Sequence, residues 1–330
     1  MLSRINTMKI CLFFLLSLSL CSCSAPTKEP LSKTDMFFDT VITIQLYDTS
    51  DTALLEQCFQ LCKTYENKFS RTIETSEISR INHANGSPVT VSDETIELLQ
   101  QGLRYCELSN GAFDITIAPV STLWDFKSKK DIVPTPDAVA SAISHVDYHN
   151  ILIDGQTVTL TDPQAAIDLG GIAKGYIADK LKEYLVKNGV KHGLINLGGN
   201  VLTIGTKLDG SDFTIGIQKP FDEQNKPITS INVNDKSVVS SGVYERYFKI
   251  DNKLYHHILD TGTGYPIENH LLGVTIISDA SVDGDGLSTT CFALGLEKGM
   301  EYINSQKDLQ AIFITDDFKL HYSNNLNVAK

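Results

Sequence analysis

The sequence predicts an α+β (irregular α/β) fold: one unit, two-lobed at most, with mixed sheets and flanking helices. Three observations carry this. Apolar residues recur at helical spacing in some stretches and alternate in others. The two kinds of segment follow one another without strict β-α alternation, which argues against a doubly wound sheet. No long linker, repeat or low-complexity tract divides residues 35–330. A hydrophobic content of 42% is ordinary for a chain that buries a real core.

The elements can be read in order. Residues 41–47 alternate well enough for a strand, and 51–69 place Leu54, Leu55, Cys58, Leu61, Cys62, Tyr65 and Phe69 on one helical face. Ser92 can cap a helix with Asp93 and Glu94 in its first turn, and Asn110-Gly111 stops it. A third helix starts near Pro136, and residues 151–160 read as a hairpin turning at Asp154-Gly155. Gly175 to Asn188 reads as a helix closed by Gly189. Strand-like runs follow near 194–204, 212–217, 237–242, 246–258 and 272–278. A helix from about Gly286 to Ser305 and a last hairpin around 310–322 complete the chain.

The N-terminus carries an export signal. Arg4 and Lys9 precede an apolar run from Ile10 to Leu20, too short for a stable membrane span. Leu20-Cys21-Ser22-Cys23 is similar to the lipobox of bacterial lipoproteins; Cys23 has Leu three before it and a small residue just before it. Residues 1–22 are therefore expected to be a lipoprotein signal peptide and Cys23 the lipidated first residue. Residues 23–34 have the composition of a polar tether. The expected location is the outer face of the cytoplasmic membrane, held by the lipid. A plain secreted protein is the simpler alternative.

The formal net charge of -12 becomes -14 once Arg4 and Lys9 leave with the signal. Nucleic-acid binding, which needs a concentrated positive field, is not expected. Cys58, Cys62, Cys106 and Cys291 show no zinc-ligand spacing and are expected to be buried thiols.

Four segments could carry chemistry. In Asp168-Leu-Gly-Gly-Ile-Ala-Lys-Gly-Tyr-Ile-Ala-Asp179, paired glycines before a helix let backbone approach a ligand and offer N–H groups to phosphate, with Lys174 adding charge. Neither a P-loop nor a GxGxxG is present, and the segment reads equally as an ordinary strand-to-helix turn. In Asp283-Gly-Asp-Gly-Leu-Ser-Thr-Thr290, Asp285 and Thr289 stand four apart and share one helix face. A carboxylate with a hydroxyl suits Mg²⁺; a capped helix start is the plainer reading. In Tyr255-His-His-Ile-Leu-Asp260, only one of His256 and His257 can face a given site, since neighbours on a strand point oppositely. Gly111-Ala-Phe-Asp-Ile-Thr-Ile-Ala-Pro119, with Trp124, could wall a ring-binding cleft or be core.

Taken together and in order, these segments resemble the ApbE family, the FAD:protein FMN transferases, along residues 35–330. The matching segments are Phe69-Ser70, 76–82, 111–116, 168–176, Asn196-Leu-Gly-Gly199, Ser241-Gly-Val-Tyr-Glu-Arg246, His257-Ile-Leu-Asp260 and Asp285-Gly-Leu-Ser-Thr289. The resemblance implies a single ApbE-like catalytic domain. It implies Mg²⁺ held by Asp285, Thr289 and the Gly171 carbonyl, and FAD contacts at Ala112, Phe113, Asp114, Asp168, Lys174 and Ile258. It further implies a catalytic His257 and an acceptor flavoprotein whose threonine receives FMN while AMP leaves. Two departures stand out. Phe38-Asp39-Thr40 replaces a Met-Gly-Thr, so Phe38 takes a flavin-site position in altered form. Thr261-Gly262-Thr263-Gly264 lacks a proline usual there, which predicts a looser loop. Hydrolysis of FAD to FMN and AMP is the alternative reaction; a non-catalytic flavin- or solute-binding lipoprotein is the alternative of another class.

Overall fold

The computed structural model describes residues 29–126, 131–222, 224 and 226–326. The signal peptide and Cys23 lie outside the described residues. The first half contains β1 (Leu31–Phe37), β2 (Thr40–Leu46), α1 (Thr52–Phe69), α2 (Glu77–Asn82), β3 (Val89–Thr90), α3 (Asp93–Leu108), α4 (Ala118–Ser121), α5 (Pro136–Ile143), β4 (Ile151–Asp154), β5 (Thr157–Leu160) and α6 (Ala173–Lys187). The second contains β6 (Gly193–Leu197), β7 (Asn200–Ile204), β8 (Phe213–Gln218), β9 (Pro227–Val233), β10 (Ser237–Gly242), β11 (Tyr247–Ile250), β12 (Lys253–His256), β13 (Leu271–Ser278), α7 (Ser281–Ser305), β14 (Gln310–Thr315) and β15 (Leu320–Tyr322).

Eight strands form one sheet in the order β1-β2-β6-β7-β10-β13-β14-β15, with α1, α6 and α7 packed on it. Pairing between named strands is antiparallel throughout; a parallel contact occurs at the isolated bridge Ile117↔Ala166. The α+β class follows. A main core unites this sheet and its helices. A smaller aromatic core gathers Trp124, Phe126, Phe248, Tyr255 and Tyr265, with ring centroids of Trp124 and Phe126 5.7 Å apart. Trp124 is thus core rather than cleft wall, and its indole N–H donates to the Gly264 carbonyl at 2.9 Å.

Several elements differ from the sequence reading. β1 takes in Leu31–Thr34, the expected end of the tether, because these residues pair one for one with β2 and Lys33 bridges to Glu56 on α1. Ser92 does sit at the α3 N-cap position, but its hydroxyl donates to Glu77 at 2.8 Å instead of capping. The run 194–204 is a hairpin: Gly198-Gly199, both at positive φ, turn the chain between β6 and β7. A Cβ on Gly198 would fall 2.0 Å from Thr40 Oγ1, so the β1–β2 turn packs directly on this one. The strand β9 is an additional partner for β8. The four cysteines are free and buried, as expected, and burial pushes the Cys58, Cys62 and Cys291 thiols up to about 12.

The helices α6 and α7 begin at the same point in space. Their N-cap residues, Ile172 and Ala280, have no side chain able to cap. Each helix borrows an acceptor from the other. The Gly175 N–H in the first turn of α6 donates to Asp285 Oδ2 of α7 at 2.9 Å. The Ser281 and Val282 N–H groups opening α7 donate to Asp179 of α6 at 2.7 and 2.8 Å. Such helix-start donors otherwise need water or a local cap. Contact this close requires glycine: a Cβ at Gly175 would stand 2.2 Å from the Ser281 carbonyl oxygen.

The loop after β12 is held by His256, which is 4% exposed. Its Nε2–H donates to the Ile267 carbonyl at 3.0 Å, and its Nδ1 accepts the Ile258 N–H at 3.3 Å. This pattern requires the neutral ring, and burial pushes its pKa down to about 4. The loop that follows is not loose. Asp260 Oδ1 accepts the N–H groups of Gly262 and Thr263 at 2.9 and 2.7 Å, and the Thr261 hydroxyl donates to the Gly111 carbonyl at 2.7 Å. An Asx turn does there what a proline would do by covalent restraint.

Two outcomes follow from this packing. Gly175→Ala should destabilise the protein by about 2 kcal/mol or more, since backbone must shift to admit the methyl; an unchanged melting temperature would refute the close crossing. The His256 contribution should be fully present above pH 6.5 and fade as pH falls towards 4, because the unfolded chain then takes up a proton that the native ring refuses. The stability gap between the parent and His256→Gln should therefore narrow by about 3 kcal/mol over that range in urea unfolding. A gap that does not vary with pH would contradict the assignment.

Candidate functional site

The site lies where the joined starts of α6 and α7 meet β10. Asp285 is 3% exposed, and its carboxylate is shared by the Gly175 N–H and the Lys174 ammonium, whose Nζ is 3.1 Å from Oδ1. Lys174 also reaches the Gly170 carbonyl at 3.4 Å. The expectation for Lys174 was phosphate contact; its nearest anion here is Asp285. One turn on, Thr289 Oγ1 is 3.0 Å from Ser241 Oγ. A Cβ placed on Gly171 would be 3.7 Å from Thr289 Oγ1 and 3.0 Å from the Phe113 ring. Gly171, Thr289 and Phe113 thus come together from three distant stretches of sequence, with Asp285 on the same helix as Thr289.

Asp168 starts the Gly-Gly turn. Its Oδ1 accepts the Gly170 N–H at 2.9 Å, and its Oδ2 meets Arg71 Nε at 3.0 Å and the Ser121 hydroxyl at 3.1 Å. Ala112 and Phe113 lie on the adjoining loop, and Ser109 Oγ accepts the Phe113 N–H at 2.9 Å. Asp114 is buried and committed to the protein itself. Its oxygens accept the Thr116 N–H and hydroxyl, both at 2.7 Å, and the Tyr148 N–H at 2.9 Å. Burial nevertheless holds its pKa above the usual carboxylate range. Phe38 stands at the β1–β2 turn with positive φ; its N–H donates to Glu66 of α1 at 2.7 Å and its ring neighbours Phe37. Those contacts tie it to α1 and to the end of β1.

His257 follows the locked His256. Its Nδ1 lies 3.3 Å from the Arg246 carbonyl, which can only accept, so Nδ1 carries the proton and Nε2 keeps a free lone pair. Although the residue keeps some exposed surface, loss of water leads the lowering of its pKa below the usual imidazole range. Arg246, His256 and Lys174 push the same way. Ile258 is buried beside it, its N–H on His256 and its carbonyl accepting from Ile267.

Among the described residues, no three His, Cys, Asp or Glu side chains gather into a metal cage. A cation here must be held by one carboxylate completed by neutral oxygens. Asp285, Thr289 and the backbone at Gly171 offer that set, and it fits Mg²⁺, which takes few protein ligands and completes its shell with phosphate and water. Ser241 and Asp179 belong to this arrangement although the sequence reading did not select them. Asp179 sits one turn after Gly175 on the same helix face, which was a usable signal. Ser241 carried a fainter one, the run Ser237-x-Val239-x-Ser241 along one face of a strand.

The ApbE family model matches residues 38–313. An FAD:protein FMN transferase of Klebsiella pneumoniae is 41% identical over 277 residues, spanning 83% of this chain and 85% of that protein. One of Treponema pallidum is 31% identical over 312 residues, spanning 88% and 86%. Among solved structures, the ApbE protein of Thermotoga maritima superposes with a TM-score of 0.82 at 30% identity, covering 90% of this chain and 97% of that one. The flavin transferase ApbE of Vibrio cholerae gives 0.80 at 27% identity, covering 90% and 97%. The matched span opens at the β1–β2 turn, takes in the joined helix starts, Ser241 and His257, and closes within β14: this chain belongs to the ApbE family.

Proposed function

We propose that the protein transfers FMN from FAD to a threonine hydroxyl of a partner flavoprotein, with Mg²⁺ as cofactor and AMP as leaving group. The observation that carries this reading is a single buried carboxylate, Asp285, set with Thr289 and Gly171 at the meeting of two helix N-termini. Helix starts and paired glycines favour phosphate, and the FAD diphosphate would lie there. Mg²⁺, bound by Asp285, Thr289 and the Gly171 carbonyl, would supply positive charge against the oxygens that become more negative during transfer. Lys174, paired with Asp285 and in reach of the Gly170 carbonyl, would turn part of its charge to a diphosphate bound at the Gly-Gly turn. Phe113, against the Gly-Gly turn, gives that region an apolar wall.

In the transfer, the threonine oxygen forms a bond to the phosphorus of the FMN half. The bridging P–O bond to AMP breaks, and the hydroxyl proton passes to His257 Nε2. Arg246 fixes the tautomer through its carbonyl. Loss of water, and after it the nearby cations, lower the basicity of His257 in the free protein; an arriving diphosphate would offset the cations' share and make the ring a better base. The lipid anchor at Cys23 belongs to the same reading: it would hold the domain on the outer face of the membrane, beside membrane-bound acceptors. No described helix is long and apolar enough to cross a membrane.

Asp285→Ala should abolish Mg²⁺-dependent flavinylation, a loss of about a hundredfold or more, with the fold retained. Incubation with FAD, Mg²⁺ and an acceptor protein, followed by intact mass, reads covalent FMN directly. Undiminished labelling removes the metal assignment, whereas free FMN and AMP without labelling favour hydrolysis. The acid limb of kcat/KM, which reports the free enzyme, should lie below pH 6.5, since His257 is neutral well into the acid range. A limb at or above 6.5 that disappears in His257→Ala would contradict the depressed pKa.

A further inference from the structure

We infer that Ser241 is a positioning residue that fixes the hydroxyl of Thr289 as a pure acceptor towards the bound cation, an inference that rests on the Mg²⁺ reading above. A chain of three hydroxyls ends on a carbonyl. Ser288 Oγ is 3.0 Å from the Asp285 carbonyl oxygen, which can only accept, so the Ser288 proton is committed there. Ser241 Oγ is 2.8 Å from Ser288 Oγ; Ser288 has no proton left, so Ser241 donates. Thr289 Oγ1 is 3.0 Å from Ser241 Oγ; the Ser241 proton is already used, so Thr289 donates. The single proton of Thr289 therefore points at β10, and only lone pairs remain for the space beside Gly171. A cation needs lone pairs, and a proton turned towards it would repel it.

The arrangement is built into the strand. Ser237, Val239 and Ser241 alternate onto the face that meets α7, where Ser237 touches Ser281 at 2.9 Å and Ser241 touches Ser288 and Thr289. Val239 lies between them against Gly284, where a Cβ would come within 2.8 Å of it. Ser240 points to the other face, 2.8 Å from Thr275. Strand and helix are thus in register along α7, and Ser241 has no freedom to serve Thr289 in another direction. Outer partners of this kind orient metal ligands, and their loss typically weakens metal binding about 10- to 100-fold.

The test is direct binding of Mn²⁺, followed by the loss of its free electron paramagnetic resonance signal, on the full soluble chain without FAD. The expected result is about 10-fold or more weaker binding for Ser241→Ala, with Ser241→Thr, which keeps the hydroxyl, close to the parent. Ser288→Ala tests the proton direction separately. It touches neither the cation nor Thr289, but it frees the Ser241 proton to turn to Thr289, and it should also weaken binding. Should Ser241→Ala unfold, Ser288→Ala carries the test alone. Parent-like Mn²⁺ binding in Ser241→Ala or Ser288→Ala, beside a normal parent and a dead Asp285→Ala, would overturn this inference while leaving the Mg²⁺ reading in place. A parent that binds no better than Asp285→Ala both without FAD and with FAD added would overturn the Mg²⁺ reading itself. A lower melting temperature with unchanged Mn²⁺ affinity would mark Ser241 as merely structural.

Discussion

The mutual capping of α6 and α7 is the constraint on which the site depends. Neither helix can satisfy its own opening N–H groups, and each takes a carboxylate from the other: Asp285 for Gly175, Asp179 for Ser281 and Val282. The exchange demands near contact of two backbones, which Gly175 permits. Burying Asp285 alone would be costly, but here the carboxylate meets a helix N-terminus and the Lys174 ammonium at once. Burial also pushes the Asp179 carboxyl up to about 6 despite its two N–H partners. The same contacts that hold two helices together therefore fix the Asp285 carboxylate in place.

This placement resolves an electrostatic conflict. The protein carries a formal net charge of -12, which disfavours approach of an anionic dinucleotide. At the site the balance is local and different. Lys174 and Arg246 both act on the imidazole of His257, and both draw down the carboxyl of Glu245 that burial otherwise raises. In physiological salt, exposed charges beyond about 8 Å are largely screened, so the distant acidic surface weighs less than the two nearby cations. Two helix starts add N–H dipoles of the same sign. A diphosphate bound there would meet these local groups before the acidic charge of the molecule as a whole.

Much of this was readable from the residues. Helices such as α1 and α3 announce themselves by spacing, and Asp285 with Thr289 can be placed on one face by counting to four. Features set by distant partners were not readable. α7 begins at Ser281, five residues before the apparent start at Gly286, because its opening donors are capped by Asp179 from another helix. Ser92 looks like a cap and sits in the right place, but Glu77 claims its hydroxyl. β1 and β9 carry weak patterns because each pairs on one side only and leaves much of its surface in water. Asp114 shows the same limit: its residue type and position could be read from the chain, but that its oxygens accept from Thr116 and Tyr148 could not. Residue type is local information, but hydrogen-bond ownership is not.

The adjacent histidines show how a fold gives two identical side chains different surroundings. Strand geometry sends them to opposite sides at the end of β12. His256 turns inward, and both its nitrogens are bound, one donating to Ile267 and one accepting from Ile258. Every polar atom of that ring is used, so it can neither take nor release a proton without breaking the loop. His257 has one nitrogen bound to the Arg246 carbonyl and the other free. The loop that His256 ties down is the one that holds His257 and leads to Asp260 and the Asx turn. A ring with both nitrogens bound thereby holds its neighbour steady, and the Nδ1 of His257 is fixed by a backbone carbonyl.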